Sequence, residues 1–546
     1  MKLPDPSAAG RALHRLDTLR RIVESGLVAP TMPDRLVKAG VALWRFGPTP
    51  AAACVASAAR YPDDLAVIDE RGQITYRELH ERTNALAHSL ADQGLGEGDN
   101  VALLSRNHRG FVEATVACSK LGAHVLYLNT GFATPQIAEV VEREQAAAII
   151  YDDEFAKTIG EAGRRDQRFI AWRGDVEEDL PEPTLDDLIA VGDPADVVAP
   201  TQQGRTTILT SGTTGTPKGA TRAVSGLDPI GALLSKIPFR ARSVTIDAPP
   251  MFHAWGFANF LLALAMTSTL VLRRKFDPKT ALEDVARHQA DALVMVPVML
   301  QRMLDLDPRE LSGYDIASLR VIALSGSALA PPLVVQGLDA FGDILYNLYG
   351  STEVAWATIA TPEDLRAAPG TAGKPPRGTI LKLFDDDGDE VRCGDRGRIF
   401  VGNEMLFEGY TGGGSKDMID GLMATGDVGH FDEHGRLFID GRSDDMIVSG
   451  GENVFPSEIE DTIAGHPDVV EAAVIGVEDP KFGQRLKAFV VLREGARLSE
   501  DEVKEHVRGN LARYKVPREV EVLDELPRNA TGKVLKRELQ KREEEV

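Results

Sequence analysis

Residues 210–219 read TSGTTGTPKG and come directly after TTIL, an apolar run with the β-branched pattern of a buried strand. Glycines let successive backbone N–H groups turn to one side, and hydroxyls and a lysine add donors that match phosphate oxygens. At the C-terminal end of a strand, where α/β sheets bind ligands, such a loop is a candidate anion cradle. Spacing excludes two common cradles. A nucleotide P-loop needs G-x-x-x-x-G-K-[ST], whereas Gly212 and Gly215 stand too close together and Lys218 is followed by Gly219. No G-x-G-x-x-G accompanies it either. Composition alone fits a surface loop equally well, so the rest of the chain has to decide.

On either side of this stretch, short apolar runs alternate with helical patterns between about 66 and 341. VALLS precedes GFVEATVACSKLG, HVLYLN precedes TPQIAEVVERE, PKTALEDVARHQ precedes ALVMVPV, and LRVIALSG precedes LAPPLVVQGLDAF. This alternation predicts βαβ units and a largely parallel sheet. After about 370 the texture changes to strand-like pieces joined by Asp/Gly turns, which predicts a β-rich subdomain over about 370–440. The last hundred residues, with EAAVIGVED, LKAFVVL and SEDEVKEHVRGNLARY, predict a small α+β unit. Glycines and polar residues in GRSDDMIVSGG at 441–451 suit a hinge. The expected division is an arm at 1–50, a large α/β domain at 51–443 and a mobile C-terminal domain at 444–546.

With 546 residues the chain can bury more than one core. A net charge of −22 argues against general nucleic-acid binding, which needs clustered Lys and Arg. Three scattered cysteines suggest neither a disulfide framework nor a cysteine metal site. The longest apolar run, 260–266, is far short of the roughly 20 residues of a membrane-spanning helix, and no apolar signal core opens the chain, so a cytoplasmic location is expected. Residues 1–50 depart from the acidic balance, with eight Lys or Arg against four acids. Val37, Val41 and Trp44 recur there at helical spacing among basic residues. Packing of this arm on the protein's own body is the preferred reading, and peripheral contact with the inner face of an anionic membrane is the alternative.

The glycine-rich stretch has company in a fixed order: ITYRELHERTNALA at Ile74, PMFHAWGF at Pro250, LSGSAL at Leu324, YNLYGSTE at Tyr346, GTAGKP at Gly370, TGD at Thr425, GRSDDMIVSGGENVFPSEIE at Gly441 and PRNATGKVLKREL at Pro527. This set resembles the adenylate-forming superfamily of acyl-CoA synthetases, peptide-synthetase adenylation domains and luciferases, over nearly everything from about 75 to 539. The resemblance implies ATP, Mg2+ and coenzyme A as reactants or cofactors, and a small-molecule carboxylic acid as substrate. The acid would first become an acyl-adenylate with loss of pyrophosphate; thiol attack would then give a thioester and AMP. Both the carboxylate and the phosphate are anionic, so positive charge has to offset their repulsion.

By the same resemblance, Thr210, Ser211, Gly212, Thr213, Thr214, Gly215 and Lys218 would close over the β- and γ-phosphates. Lys533 would contact the carboxylate and α-phosphate. Thr352 and Glu353 would meet the α-phosphate and magnesium, a carboxylate suiting that hard cation. Tyr349 would stack on adenine opposite Gly326, Ser327 and Ala328, with Asn347, Gly350 and Ser351 in the same nucleotide-binding run. Asp427 and Arg442 would hold the ribose hydroxyls, and Asp444 would be the hinge about which the C-terminal domain rotates. Ser449, Gly450, Gly451, Glu452 and Asn453 would line a tunnel for coenzyme A. His253 would sit beside the carboxylate, with Trp255 and Phe257 lining the acyl pocket.

The segment PMFHAWGFANFLLALAM lacks the aspartate with which peptide-synthetase domains hold an α-amino group, so an unsubstituted acid is expected. A medium- or long-chain fatty acid, as in bacterial fatty-acid–CoA ligases, is the leading expectation. The rivals are an aryl acid, an acyl-AMP ligase that delivers to a carrier protein, and a noncatalytic acyl- or AMP-binding scaffold. Retention of Lys533, Glu353, Asp427 and Arg442 counts against the scaffold. The sequence leaves oligomeric state open.

Overall fold

The computed structural model describes residues 18–29, 32–174, 176, 180–210, 218–222, 228–407, 409–410, 415–443, 445–449, 452–479, 483–530 and 532–544. Four sheets organise these residues. Strands form where apolar residues run without interruption: every residue of Ala292–Met295 and Val321–Leu324 is buried, as strands covered on both faces must be. They belong to an eight-stranded sheet that is parallel except for one antiparallel strand at each edge, Gly72–Thr75 and Thr358–Ala360. A seven-stranded sheet carries the parallel strands Asn100–Leu104, His124–Tyr127, Ala146–Asp152, Arg168–Trp172 and Thr206–Thr210. The helix–strand alternation read from the sequence is present in both.

Helix starts reflect local chemistry. Thr75 and Glu78 form a reciprocal capping box for Tyr76–Asp92. Asp277 accepts from the Thr280 amide ahead of Pro278–His288, with proline in the first turn. The helices Pro50–Arg60, Tyr76–Asp92, Arg109–Leu121 and Ala254–Ala265 contribute to one core shared by both large sheets, where Phe111, Tyr127, Phe257 and Phe260 pack ring against ring. The run 260–266 is therefore part of the buried core over most of its length.

Ile380–Phe384, Gly397–Gly402, Met418–Ile419, Leu422–Phe431 and Leu437–Arg442 make a third, antiparallel sheet. The fourth pairs Val469–Asp479 with Gly483–Leu492 and adds Glu519–Leu523 in parallel; with Pro456–Ala464 and Glu500–Asn510 it has its own core. Phe455, Ser457 and Glu458 seat this unit on the third sheet. Phe455 crowds Gly441, the Ser457 hydroxyl donates to the Asp440 carbonyl, and Glu458 pairs with Arg396.

The arm helix packs on the protein's own body, but not through the row of Val37, Val41 and Trp44. In Pro33–Phe46 the buried residues are Ala39, Ala42 and Phe46, set against Pro50–Arg60. Small side chains let the two helices approach closely, and the larger Val37, Val41 and Trp44 face outward.

Candidate functional site

Four parallel strands of the eight-stranded sheet end side by side. Leu324 stands opposite Asn347, Met295 opposite Leu324, and Val294 opposite Asp247. Their C-terminal edge therefore presents, in order, Tyr349 to Glu353, Ser325 to Ala328, Val296 to Val298, and the 248–253 turn that ends in His253. Ligands of open α/β sheets bind along such an edge. The edge gathers His253, Gly326, Ser327, Ala328, Asn347, Tyr349, Gly350, Ser351, Thr352 and Glu353 from three separated stretches.

The 248–253 turn is pinned by a residue that motif reading passed over. Asn107 lies just beyond the strand Asn100–Leu104 of the other large sheet. Its Nδ2 donates to the carbonyls of Asp247 and Pro249 at 3.1 and 2.7 Å, and its Oδ1 accepts from the Met251 amide at 2.9 Å. Only its place, a polar residue shortly after a buried strand, could have marked it. His253 occupies the N-cap position of Ala254–Ala265 without a side-chain capping hydrogen bond and is half-buried; desolvation lowers its pKa to about 4, so the ring is neutral near pH 7. The Trp255 indole N–H donates to the Met295 carbonyl, and Phe257 is 5% exposed between Tyr127 and Phe260. Beneath the turn, Asp247 is fully buried, and neither carboxyl oxygen has a hydrogen-bond partner among the described residues. Burial pushes its pKa well up, which favours the neutral acid.

Tyr349 reaches across to the third sheet. Its hydroxyl donates to Asp427 at 2.5 Å and lies 3.3 Å from Thr425, while Asp427 faces Arg442 across an antiparallel pair with their charged groups 3.7 Å apart. Burial and then the Asp427 charge raise the Tyr349 pKa well above its ordinary value, which keeps the phenol a donor. Gly426 has φ +92°, and a Cβ there would come within 3.3 Å of the Arg442 guanidinium. Glycine in T-G-D thus lets Asp427 and Arg442 face the same opening. A cleft of ≈ 270 Å³ beside them is bordered by Arg398, Ser415, Lys416, Asp427 and Ser443. Asn347, 8% exposed, has an Oδ1 without a hydrogen-bond partner among the described residues, leaving an acceptor to be satisfied at the edge.

The C-terminal unit sends one turn onto this edge. Asn529 organises it: its Oδ1 accepts from the Lys533 amide, and its own amide donates to the Lys533 carbonyl, both at 2.9 Å. Arg528 donates to the Gly532 carbonyl and pairs with Glu471. Gly532 has φ +81°, and a Cβ there would lie 2.5 Å from Val298 Cγ1 and 3.8 Å from Val296. A Cβ on Gly131, after the strand His124–Tyr127, would sit 3.6 Å from Ala530. The turn therefore touches the C-terminal ends of strands in both large sheets, and Lys533, exposed, comes directly after the glycine that makes the contact. In NATGK the turn-favouring type of Asn529 is the one signal that marks it, and Arg528 and Val298 carry none beyond their neighbours.

The strands on either side of the glycine-rich stretch pair with each other. Thr206–Thr210 pairs antiparallel with Lys218–Arg222, Thr210 opposite Lys218, so the loop closes a β-hairpin. A P-loop instead opens a helix whose N-terminus supplies the anion field. Ser211, Gly212, Thr213, Thr214 and Gly215 lie outside the described residues, as do Asp444, Gly450 and Gly451. Ser449 pairs with Glu452 where Ile447–Ser449 runs antiparallel to Glu452–Val454.

Glu353 suits magnesium as a single carboxylate, because that ion typically takes one or two carboxylates and completes its octahedron with phosphates and water. Among the described residues no cluster of three or more His, Cys, Asp or Glu could hold a metal without such help.

Comparison with known proteins agrees with this geometry. A family described as AMP-binding enzyme matches residues 54–411, and one described as AMP-binding enzyme C-terminal domain matches 458–533. The chain is 34% identical to a 2-succinylbenzoate–CoA ligase of Geobacillus kaustophilus, covering 88% of this chain and 95% of the relative. It is 33% identical to a feruloyl-CoA synthase of Amycolatopsis, over 88% and 96%. The solved o-succinylbenzoate CoA synthetase of Bacillus subtilis, in complex with its acyl-adenylate intermediate, superposes with a TM-score of 0.77 at 28% identity, over 89% of this chain and 97% of that one.

Proposed function

The chain belongs to the AMP-binding enzyme family, and from that premise we propose that it activates a ring-bearing carboxylic acid, with coenzyme A as acceptor. The reaction class is that of the family's AMP-forming acid–thiol ligases, ATP-dependent and passing through an acyl-adenylate. The observation that carries the assignment of roles is the docking of the 529–533 turn on the strand edge. That docking, made by Gly532, supports a role for the next residue, Lys533, at a site built by the other unit.

A carboxylate oxygen attacks the α-phosphorus and pyrophosphate leaves; the thiol sulfur then attacks the acyl carbon and AMP leaves. In the first step Lys533 supplies the positive charge between the two anions. Asp427 accepts from a ribose hydroxyl while Arg442 donates to it, and Tyr349 lends its ring to adenine while its hydroxyl steadies Asp427. Asn347 Oδ1 offers an acceptor to the exocyclic amine. His253, neutral, lies beside the acid without adding charge. Glu353 and the phosphates would hold magnesium, which offsets phosphate charge when bound. Lys218 and the 211–217 loop cover the outer phosphates. Rotation about Asp444 exchanges the lysine turn for the 449–453 hairpin before thiol attack.

The ring-bearing acid is supported by the names of the relatives, which act on succinylbenzoate and ferulate. The medium- or long-chain fatty acid expected from the sequence is the competitor. The test is a panel of aryl acids and fatty acids with ATP and coenzyme A, reading AMP, pyrophosphate and thioester, repeated with Lys533→Ala. Thioester from aryl acids, with the variant failing to adenylate yet converting supplied acyl-adenylate, is the expected result. Turnover confined to fatty acids overturns the substrate reading. Normal adenylation by the variant overturns the role of Lys533. Acyl-adenylate that accumulates whether or not coenzyme A is present points to a carrier-protein acceptor.

A further inference from the structure

Among the described residues, nothing covers one apolar face of the N-terminal arm. In Pro33–Phe46, Leu36, Val37, Val41, Leu43 and Trp44 are all exposed, Trp44 to 85%. At helical spacing these five form one continuous stripe, opposite the buried Ala39, Ala42 and Phe46. The preceding segment does the same: Ile22 and Leu27 are buried while Leu19, Val23 and Val28 are exposed. Arg60 joins the two, its guanidinium donating to the Leu27 carbonyl and its own carbonyl accepting from Arg35. Soluble proteins seldom leave so many large apolar side chains together on one face.

Charge selects the occupant. Residues 1–50 carry a net +4, so the rest of the chain carries −26 of the total −22. Lys38, exposed, and Arg45, whose guanidinium donates to the Val197 carbonyl, border the stripe on one side together with the acid Asp34, while Arg35 lies on the buried side and donates to the Arg60 carbonyl. A symmetric contact with a second copy would set this positive face against itself. An anionic surface attracts the arm and repels the acidic body, which fixes which side approaches.

We propose that the arm is an in-plane anchor for an anionic lipid bilayer, with the stripe at the acyl boundary, Trp44 at the headgroup level and the basic flank on the lipid phosphates. Amphipathic helices with apolar and basic faces bind bilayers in this manner, and tryptophan favours that depth. The contact is peripheral: among the described residues no helix is long and apolar enough to cross a membrane. The proposal is independent of which acid the enzyme activates.

The test uses the full chain, flotation with vesicles of phosphatidylcholine alone or mixed in equal parts with phosphatidylglycerol, and sedimentation velocity without lipid. The wild type is expected to float with the mixed vesicles and to be released by salt. The variant V37S/V41S/W44S is expected to bind at least about tenfold more weakly, with an unchanged melting temperature and unchanged turnover of a water-soluble acid. Should that variant fail to fold, Trp44→Ser alone is expected to weaken flotation. The proposal is overturned by a wild type that does not float, by equal binding of variant and wild type, or by a lipid-free dimer that the substitutions dissolve.

Discussion

Gly532→Ala tests whether the docked turn is the adenylating arrangement. At φ +81° an alanine carries about 1–2 kcal/mol of backbone strain. That cost applies whether or not the turn is docked. Its Cβ would also stand 2.5 Å from Val298 Cγ1, closer than carbon atoms approach, and overpacking of this kind costs roughly 1–3 kcal/mol. The second cost applies only while the turn sits on the strand edge. Adenylation, read by pyrophosphate exchange into ATP, is therefore expected to slow by about fivefold to a hundredfold or more, at 1.4 kcal/mol per factor of ten. Thioester formation from supplied acyl-adenylate, which needs the turn withdrawn, is expected to stay near wild type. Val298→Ala removes the obstructing methyl, so G532A/V298A should recover most of the lost exchange while V298A alone changes it little. Wild-type exchange by G532A, or no recovery in the double variant, would refute the placement of this turn in the adenylating state.

Single contacts carry the other predictions. Tyr349→Phe keeps the ring and removes the donor to Asp427; a hydrogen bond to a charged group is worth about 1.5–3 kcal/mol, so KM for ATP should rise roughly tenfold to a hundredfold, with equal KM values counting against the contact. Asn347→Leu is expected to weaken ATP use by about tenfold yet leave purine riboside triphosphate, which lacks the exocyclic amine, unaffected; parallel losses for both would remove Asn347 from adenine recognition. Asp247 has its pKa raised in the folded state, so its contribution to stability is fully present below its unfolded pKa and is lost as pH rises toward the folded value. Asp247→Asn imitates the protonated acid at every pH, so its melting temperature should gain on wild type as pH rises above the ordinary carboxylate range; a constant gap would mean that burial does not raise the Asp247 pKa.

The sequence made the fold legible wherever the period of apolar residues matched the element. VALLS and GFVEATVACSKLG are a buried strand and the helix after it because uninterrupted apolar residues suit a strand covered on both faces. The stretch after the glycine-rich loop was opaque for the opposite reason. KGATR has no two-residue alternation, and only its pairing with TTILT makes it a strand. Motif order singled out Tyr349 and Asp427 separately, 78 residues apart, but nothing local announced the bond between them. Asn107 was invisible because its partners are the backbone carbonyls of a distant turn.

The arm shows the same limit from the other side. Periodicity found the row Val37, Val41, Trp44 and says that these residues share a face. It cannot say whether protein or something else covers that face, because both outcomes select the same spacing. The residues that settle it are the small ones. Ala39 and Ala42 permit the close approach to Pro50–Arg60 that a valine or tryptophan would prevent, and Phe46 fills the end of that contact. An alternation of small apolar residues on one side with large ones on the other is thus readable in advance as a helix packed through its small side. In PDRLVKAGVALWRF the large side is the one left over, and it is the side flanked by positive charge.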